Sequence, residues 1–148
     1  MAKFTEQDVL LDYSGTLIDI DAAASNLLIE RMNITNHDDA VVIKRGEGSY
    51  DFVKCSENIT VRDINVTLST GMAIGGVPPN TKYSCVRNVT FHNVNMQTPF
   101  KGIYVKTTPS KKHDPDLTIP GSGGEITNIV YDKFQIHTPI WWGIYIGP

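Results

Sequence analysis

At 148 residues the chain is long enough for one domain with a real core and hardly long enough for two. Apolar residues make up 41% and charged residues 20%, a balance that excludes both a disordered tail and a bundle of membrane-spanning helices. The net charge of −3 leaves no basic excess, so a general nucleic-acid binder is excluded as well.

The N-terminus reads MAKFTEQDVLLDYSG. Its one apolar run, Val9-Leu10-Leu11, is too short for a signal-peptide core and far too short to cross a bilayer. Residues 1–14, with Phe4, Leu10 and Tyr13, are expected to form an irregular N-terminal cover. "GTLIDID", from Gly15, then reads as a first short β run.

From residue 26 onward a nine-residue pattern occurs four times: Asn, aliphatic, x, large apolar, x, x, apolar, x, apolar. Its copies are "NLLIERMNI" (Asn26), "NITVRDINV" (Asn58), "NVTFHNVNM" (Asn88) and "NIVYDKFQI" (Asn128), separated by 32, 30 and 40 residues. Thirteen to fifteen residues after each Asn comes a second β run: "AVVIK" (Ala40), "GMAIGG" (Gly71), "GIYVKT" (Gly102) and "GIYIGP" (Gly143). The longest step contains the Pro-, Gly- and Lys-rich stretch from Thr107 to Gly124, which is predicted to be an inserted loop.

These segments are short, β-branched and alternating, so they are strands. A unit of about 30 residues with two or three strands cannot bury its own apolar side chains. Stacking such units, with each strand pairing in parallel about 4.8 Å from its copy, solves the problem. The expected fold is all-β: a right-handed parallel β-helix of four to five coils forming a single domain over residues 1–148, read as an uncapped piece of a longer solenoid. A β-sandwich does not require recurrence at this period.

Cys55 and Cys85 each lie three residues before a repeat Asn. Stacking brings their Cα atoms within disulfide range, and the sequence leaves open a bridge or two stacked thiols. Four N-x-T sequons, at Asn33, Asn58, Asn65 and Asn88, fit a secreted protein or simply the demands of strands and turns.

"NHDDAVVIKRG", from Asn36, places two carboxylates at the start of a strand run. In the stacked register Asp38 and Asp39 fall beside Ser69 and Thr70, and Lys106 ends its run as Lys44 ends the earlier one. One carboxyl of such a pair can protonate a leaving oxygen while the other holds a water, and a lysine beside them can hold an anionic sugar. An exposed acidic turn is the plainer reading of a lone Asp-Asp.

His37 precedes the pair, but neighbours along a strand point to opposite faces. His92, His113 and His137 form no metal-ligand cluster, and Gly71, Gly75 and Gly76 precede no helix that could complete a phosphate loop. No metal and no cofactor is expected. Trp141 and Trp142 could stack on a sugar ring, and Lys111 and Lys112 could attract a polyanion.

The order "NxDD", "GMAIGG", "GIYVKT", with "SENIT", "CVRNVTF" and "PIWWGIYIGP" around it, resembles glycoside hydrolase family 28, the polygalacturonases and related pectin hydrolases. The resemblance runs from Gly15 to Pro148, the middle of a typical member. It implies a right-handed parallel β-helix and inverting hydrolysis of a polygalacturonate-like acidic polysaccharide outside the cell. By resemblance Asp38 is the general acid, Asp39 activates water, and Lys106, with Tyr104 and Asn36, binds substrate. Three motifs differ: the family's Asn-Thr-Asp is Ser14-Gly15-Thr16 here, its Gly-His-Gly is Ser69-Thr70-Gly71, and its Arg-Ile-Lys is Tyr104-Val105-Lys106. The expectation is thus a shortened hydrolase with weakened or lost turnover. Its alternative is a non-catalytic solenoid that binds acidic polysaccharide or is purely structural.

Overall fold

A computed structural model describes residues 2–5, 18–20, 24–45, 55–77, 84–107 and 124–148. All its regular elements are strands: β1 (Ala2–Thr5), β2 (Ile18–Ile20), β3 (Ser25–Thr35), β4 (Asp39–Ile43), β5 (Cys55–Thr67), β6 (Gly71–Val77), β7 (Ser84–Gln97), β8 (Lys101–Thr107), β9 (Gly124–His137) and β10 (Trp142–Gly147). Odd strands stack in the order β1-β3-β5-β7-β9 and even strands in the order β10-β8-β6-β4-β2, every pair parallel. The chain is a right-handed parallel β-helix, the hand that parallel crossovers take.

The long odd strands are not straight. Asn26, Asn58, Asn88 and Asn128 have φ of 56°, 55°, 54° and 52°, and Arg31, Asp63, Asn93 and Lys133 repeat the turn five residues on, at 54–57°. Left-handed backbone disfavours most L-residues and is best tolerated by Gly and Asn. Each left-handed residue bends its strand, giving two arms per rung; the even strand supplies a third. The asparagine amides stack into a ladder in which Asn58 donates to Asn26 at 3.5 Å, Asn88 to Asn58 at 3.2 Å and Asn128 to Asn88 at 2.7 Å. Asn65 donates likewise to Asn33 at 2.8 Å. All four sequon asparagines therefore sit in ladders, which gives their recurrence a structural cause.

The apolar positions of the nine-residue pattern point inward. In register they make aliphatic and aromatic columns such as Leu27–Ile59–Val89–Ile129, Ile29–Val61–Phe91–Tyr131 and Ile34–Val66–Met96–Ile136. The third arm adds Val41–Met72–Ile103–Ile144 and Ile43–Ile74–Val105–Ile146. The first three members of each column are buried almost completely except Ile103 and Val105, which are half-buried, while Ile144 and Ile146 on β10 remain 63% and 69% exposed.

Ala2–Thr5, expected within an irregular cover, instead pair in parallel with Leu27–Glu30. "GTLIDID" contributes β2, which pairs with β4 as an earlier copy of the same run should. The interior of the predicted loop, 108–123, lies outside the described residues, as do 6–17. Cys55 and Cys85 are register partners and form a disulfide.

Two predictions follow from this packing. The bridge closes a 30-residue separation, for which loop-closure entropy gives about 3 to 4 kcal/mol. A Cys55→Ser/Cys85→Ser chain should lose that much stability in urea titration. The Tyr131 ring stacks on Phe91 at 4.8 Å, and its buried hydroxyl has no hydrogen-bond partner among the described residues. Burial also pushes the phenol well above its ordinary value of 10.0. The folded chain keeps it neutral where the unfolded chain ionises, so stability is full below pH 10.0 and falls as pH rises from there toward the folded value. Tyr131→Phe should raise stability by about 1 kcal/mol and lessen the alkaline loss, both read from denaturation midpoints at pH 8 and 11.

Candidate active site

The acidic pair stands where β3 turns into β4. Asn36 is buried, and its side-chain amide donates to the Asp39 carbonyl at 2.8 Å, fixing the turn. That bond makes Asn36 a support for the pair's backbone. His37 is exposed beside the turn, Asp38 is half-buried, and Asp39 is only 1% exposed.

The next rung meets this turn with Ser69 and Thr70. The Thr70 N–H donates to the Asp38 carbonyl at 2.9 Å, and the Ser69 hydroxyl donates to the same oxygen at 2.8 Å. Ser69 Oγ in turn accepts the Gly71 N–H at 3.0 Å. The Thr70 hydroxyl lies against both carboxyl groups, 2.7 Å from Asp39 Oδ1 and 3.3 Å from Asp38 Oδ1. Asp38 Oδ1 also accepts the Asp39 N–H at 2.7 Å, while Asp38 Oδ2 takes no hydrogen bond from the described residues. The two oxygens of Asp38 thus differ: one is anchored and one is available.

One rung further, Lys106 extends back across β6, and its ammonium pairs with Asp39 Oδ2. Its path is cleared by glycine. A Cβ on Gly75 would lie 2.3 Å from Lys106 Cβ and 2.8 Å from its Cγ, so any larger residue there must push the lysine aside. Gly71 serves differently. Its φ is +128°, and a Cβ would come within 2.7 Å of the Gly102 carbonyl, so glycine permits both the turn after Thr70 and the close rung above it.

The structure therefore brings Asp38, Asp39, Asn36 and Lys106 together, although they span 36 to 106. Tyr104 borders the group, its ring centroid 5.1 Å from the Lys106 ammonium. The register places Ser69 and Thr70 beside the pair without assigning them a role, and in the structure they hold it. Sequence reasoning passed over Lys101, whose ammonium lies 3.6 Å from the centre of the Tyr104 ring. The signal for both was the register itself, which places "ST" and "FK" in the column of the acidic pair. Among the described residues no group of three or more His, Cys, Asp and Glu could hold a metal ion.

The pattern of Glycosyl hydrolases family 28 matches residues 16–147, nearly the whole chain. The chain belongs to glycosyl hydrolase family 28. Similar curated proteins include a probable exopolygalacturonase X of Aspergillus flavus, 28% identical over 121 residues, covering 80% of this chain and 26% of that protein. A probable rhamnogalacturonase E of the same fungus is 25% identical, with coverage of 84% and 22%. A probable rhamnogalacturonase B of Aspergillus fumigatus is 24% identical, with coverage of 83% and 19%. This family 28 chain spans about a quarter or less of the length of these relatives. No solved structure matches it significantly.

Gly75→Ala tests the path of Lys106. Overpacking should cost about 1 to 3 kcal/mol in a denaturant titration. In a Lys106→Gly background, which removes the Cβ and Cγ that the new methyl would strike together with the ion pair, the same substitution should cost much less. Equal costs in the two backgrounds would show that Gly75 does not govern the lysine.

Proposed function

We propose that this family 28 chain carries the proton-donating part of a hydrolase site for pectin-type acidic polysaccharide, with Asp38 as general acid. The observation that carries the reading is the asymmetry of the pair. Asp39 is buried, receives the Thr70 hydroxyl at one oxygen and pairs with the Lys106 ammonium at the other. These partners favour a fixed anion. Asp38 has one oxygen anchored by backbone and Thr70, which leaves Oδ2 as the atom from which a proton passes to a glycosidic oxygen.

Asp39 then has two duties. Its charge holds Lys106 and Thr70 in place, and its remaining lone pairs orient the attacking water. Lys106, its charge already engaged by Asp39, contacts a substrate carboxylate only as a shared cation. The relatives named as galacturonases support a galacturonate-bearing polymer as substrate. An extracellular location belongs to the same reading, because the Cys55–Cys85 bridge persists in oxidising surroundings.

One observation favours a second reading. An Asp buried and ion-paired as Asp39 is also makes a good structural post, and a solenoid built on it could bind acidic polysaccharide without cleaving it. Release of reducing ends from polygalacturonate separates the two. Wild-type chain should release them, and Asp38→Asn should slow release by about 10² to 10⁴-fold, the size of a general-acid contribution. An unchanged rate in Asp38→Asn removes Asp38 as the acid. Binding without any release by the wild-type chain favours the second reading.

A further inference from the structure

We infer that the outer face of β8 and β10 carries a subsite for a carboxylate-bearing sugar, with Lys101 as the anion ligand on a platform of aromatic rings. This rests on the reading that the polymer is acidic, and not on its being cleaved.

The Lys101 ammonium is surrounded by ring faces: 3.6 Å from the Tyr104 centroid, 4.4 Å from Tyr145 and 5.8 Å from Trp142. Four other cations are held by carboxylates. Lys44 pairs with Asp19, Lys106 with Asp39, Arg62 with Glu30 and Arg87 with Glu57. Lys101 has no carboxylate partner among the described residues. Ring faces attract an ammonium through their quadrupoles and fix its position. They do not cancel its charge, so the charge and the N–H groups not directed at the rings remain for an anion.

The rings continue beyond the cation. Tyr104 and Tyr145 centroids are 5.5 Å apart, Tyr145 and Trp142 4.9 Å, Trp142 and Trp141 6.0 Å, and Trp141 and Phe100 5.1 Å. Trp141 and Trp142 are 55% and 48% exposed. A pyranose presents an apolar C–H face and, when it is a uronate, a carboxylate at its edge. Ring faces beside a fixed, unneutralised cation match both features.

Its place also fits a polymer site. Thr70 bonds to Asp38, the Phe100 N–H donates to the Ser69 carbonyl at 2.7 Å, and Lys101 pairs in register with Trp142. Asp38, Thr70, Lys101 and Trp142 therefore follow one another over successive rungs, about 4.8 Å apart. A chain lying along the solenoid axis with one residue at Asp38 passes Lys101 about two rungs on. β8 is flanked by β6 and β10, so Lys101 stands inside the sheet and not on its last strand.

The test uses the full chain carrying Asp38→Asn, so that binding is measured without turnover. Affinity for polygalacturonate, fully methyl-esterified polygalacturonate and neutral galactan is read by calorimetry at low salt. The parent should bind polygalacturonate best. Adding Lys101→Gln should weaken that binding about tenfold and leave the esterified polymer unchanged, as loss of one charge-assisted contact requires. Lys101→Arg should retain most of the affinity, which guards against misfolding as the cause. Trp142→Ala should weaken binding of both uronate polymers. The inference is overturned if the parent does not bind polygalacturonate, if Lys101→Gln binds it as well as the parent, or if the esterified polymer loses as much. Failure of hydrolysis in the wild-type chain leaves these outcomes unmoved, so the two readings fail separately.

Discussion

Left-handed backbone at Asn26, Asn58, Asn88 and Asn128 is the constraint on which the rest of this molecule depends. Each of these residues turns the chain at the same point of its rung, and their stacked amides join one rung to the next. Register follows from that. A slip of one residue would turn every inward Ile, Val and Phe outward, so the apolar columns and the asparagine ladder enforce the same alignment. A third set of left-handed residues, Leu68, Thr98 and Thr138, lies just before the site strands. Branched side chains tolerate this conformation poorly, and they hold it because cross-rung bonds such as Leu68 N–H to the Gln97 carbonyl and Thr98 N–H to the His137 carbonyl fix the corner. The site inherits its geometry from that repetition. Asp39, Thr70 and Lys106 come from three successive rungs; the shared turning sets Thr70 against Asp39, and the gap at Gly75 lets Lys106 reach it.

Much of this was legible before any coordinates. The nine-residue pattern describes two arms of a rung, with its Asn at the corner and its four apolar positions facing in. The column of Asp38 with Thr70 followed from counting along the repeats. What sequence could not supply was the course of long side chains. Nothing in "GIYVK" says that Lys106 runs backward over Gly75 to reach Asp39, because that depends on an absent Cβ one rung away. Nor does "FKG" show that Lys101 folds onto Tyr104 and Tyr145, which are 3 and 44 residues distant. β1 was missed for a related reason: four residues carry too little periodicity to announce a strand when their partner is residues 27–30.

Charge explains how an acidic doublet can survive at a buried turn. Two vicinal carboxylates repel, and an unpaired buried carboxylate is expensive. Here one of the two is matched by a lysine and a hydroxyl, and the other keeps an edge toward the half-exposed surface. Neutralising Asp39 with Lys106 has a consequence for recognition. A cation committed to a protein carboxylate attracts a polyanion weakly, so the attraction of an acidic polymer must come from charges that remain uncommitted. Lys101, held by rings instead of a carboxylate, is such a charge within the same stack of rungs.

The alternation of the strands separates what keeps the fold from what decides the chemistry. Inward residues form the columns, and their exchange among Ile, Val and Met leaves the outer face untouched. Outward residues such as Thr70, Tyr104 and Lys106 can change without opening a cavity, because they pack on neighbouring rungs rather than inside them. That is why this chain keeps the family's solenoid while bearing Ser69-Thr70-Gly71 and Tyr104-Val105-Lys106 in its outer rows. Membership in the family therefore speaks for the columns; the reaction, or its absence, is written on the other face. On that face Asp38 Oδ2, the oxygen proposed as the proton donor, lies beside a carboxylate already matched by Lys106 and Thr70.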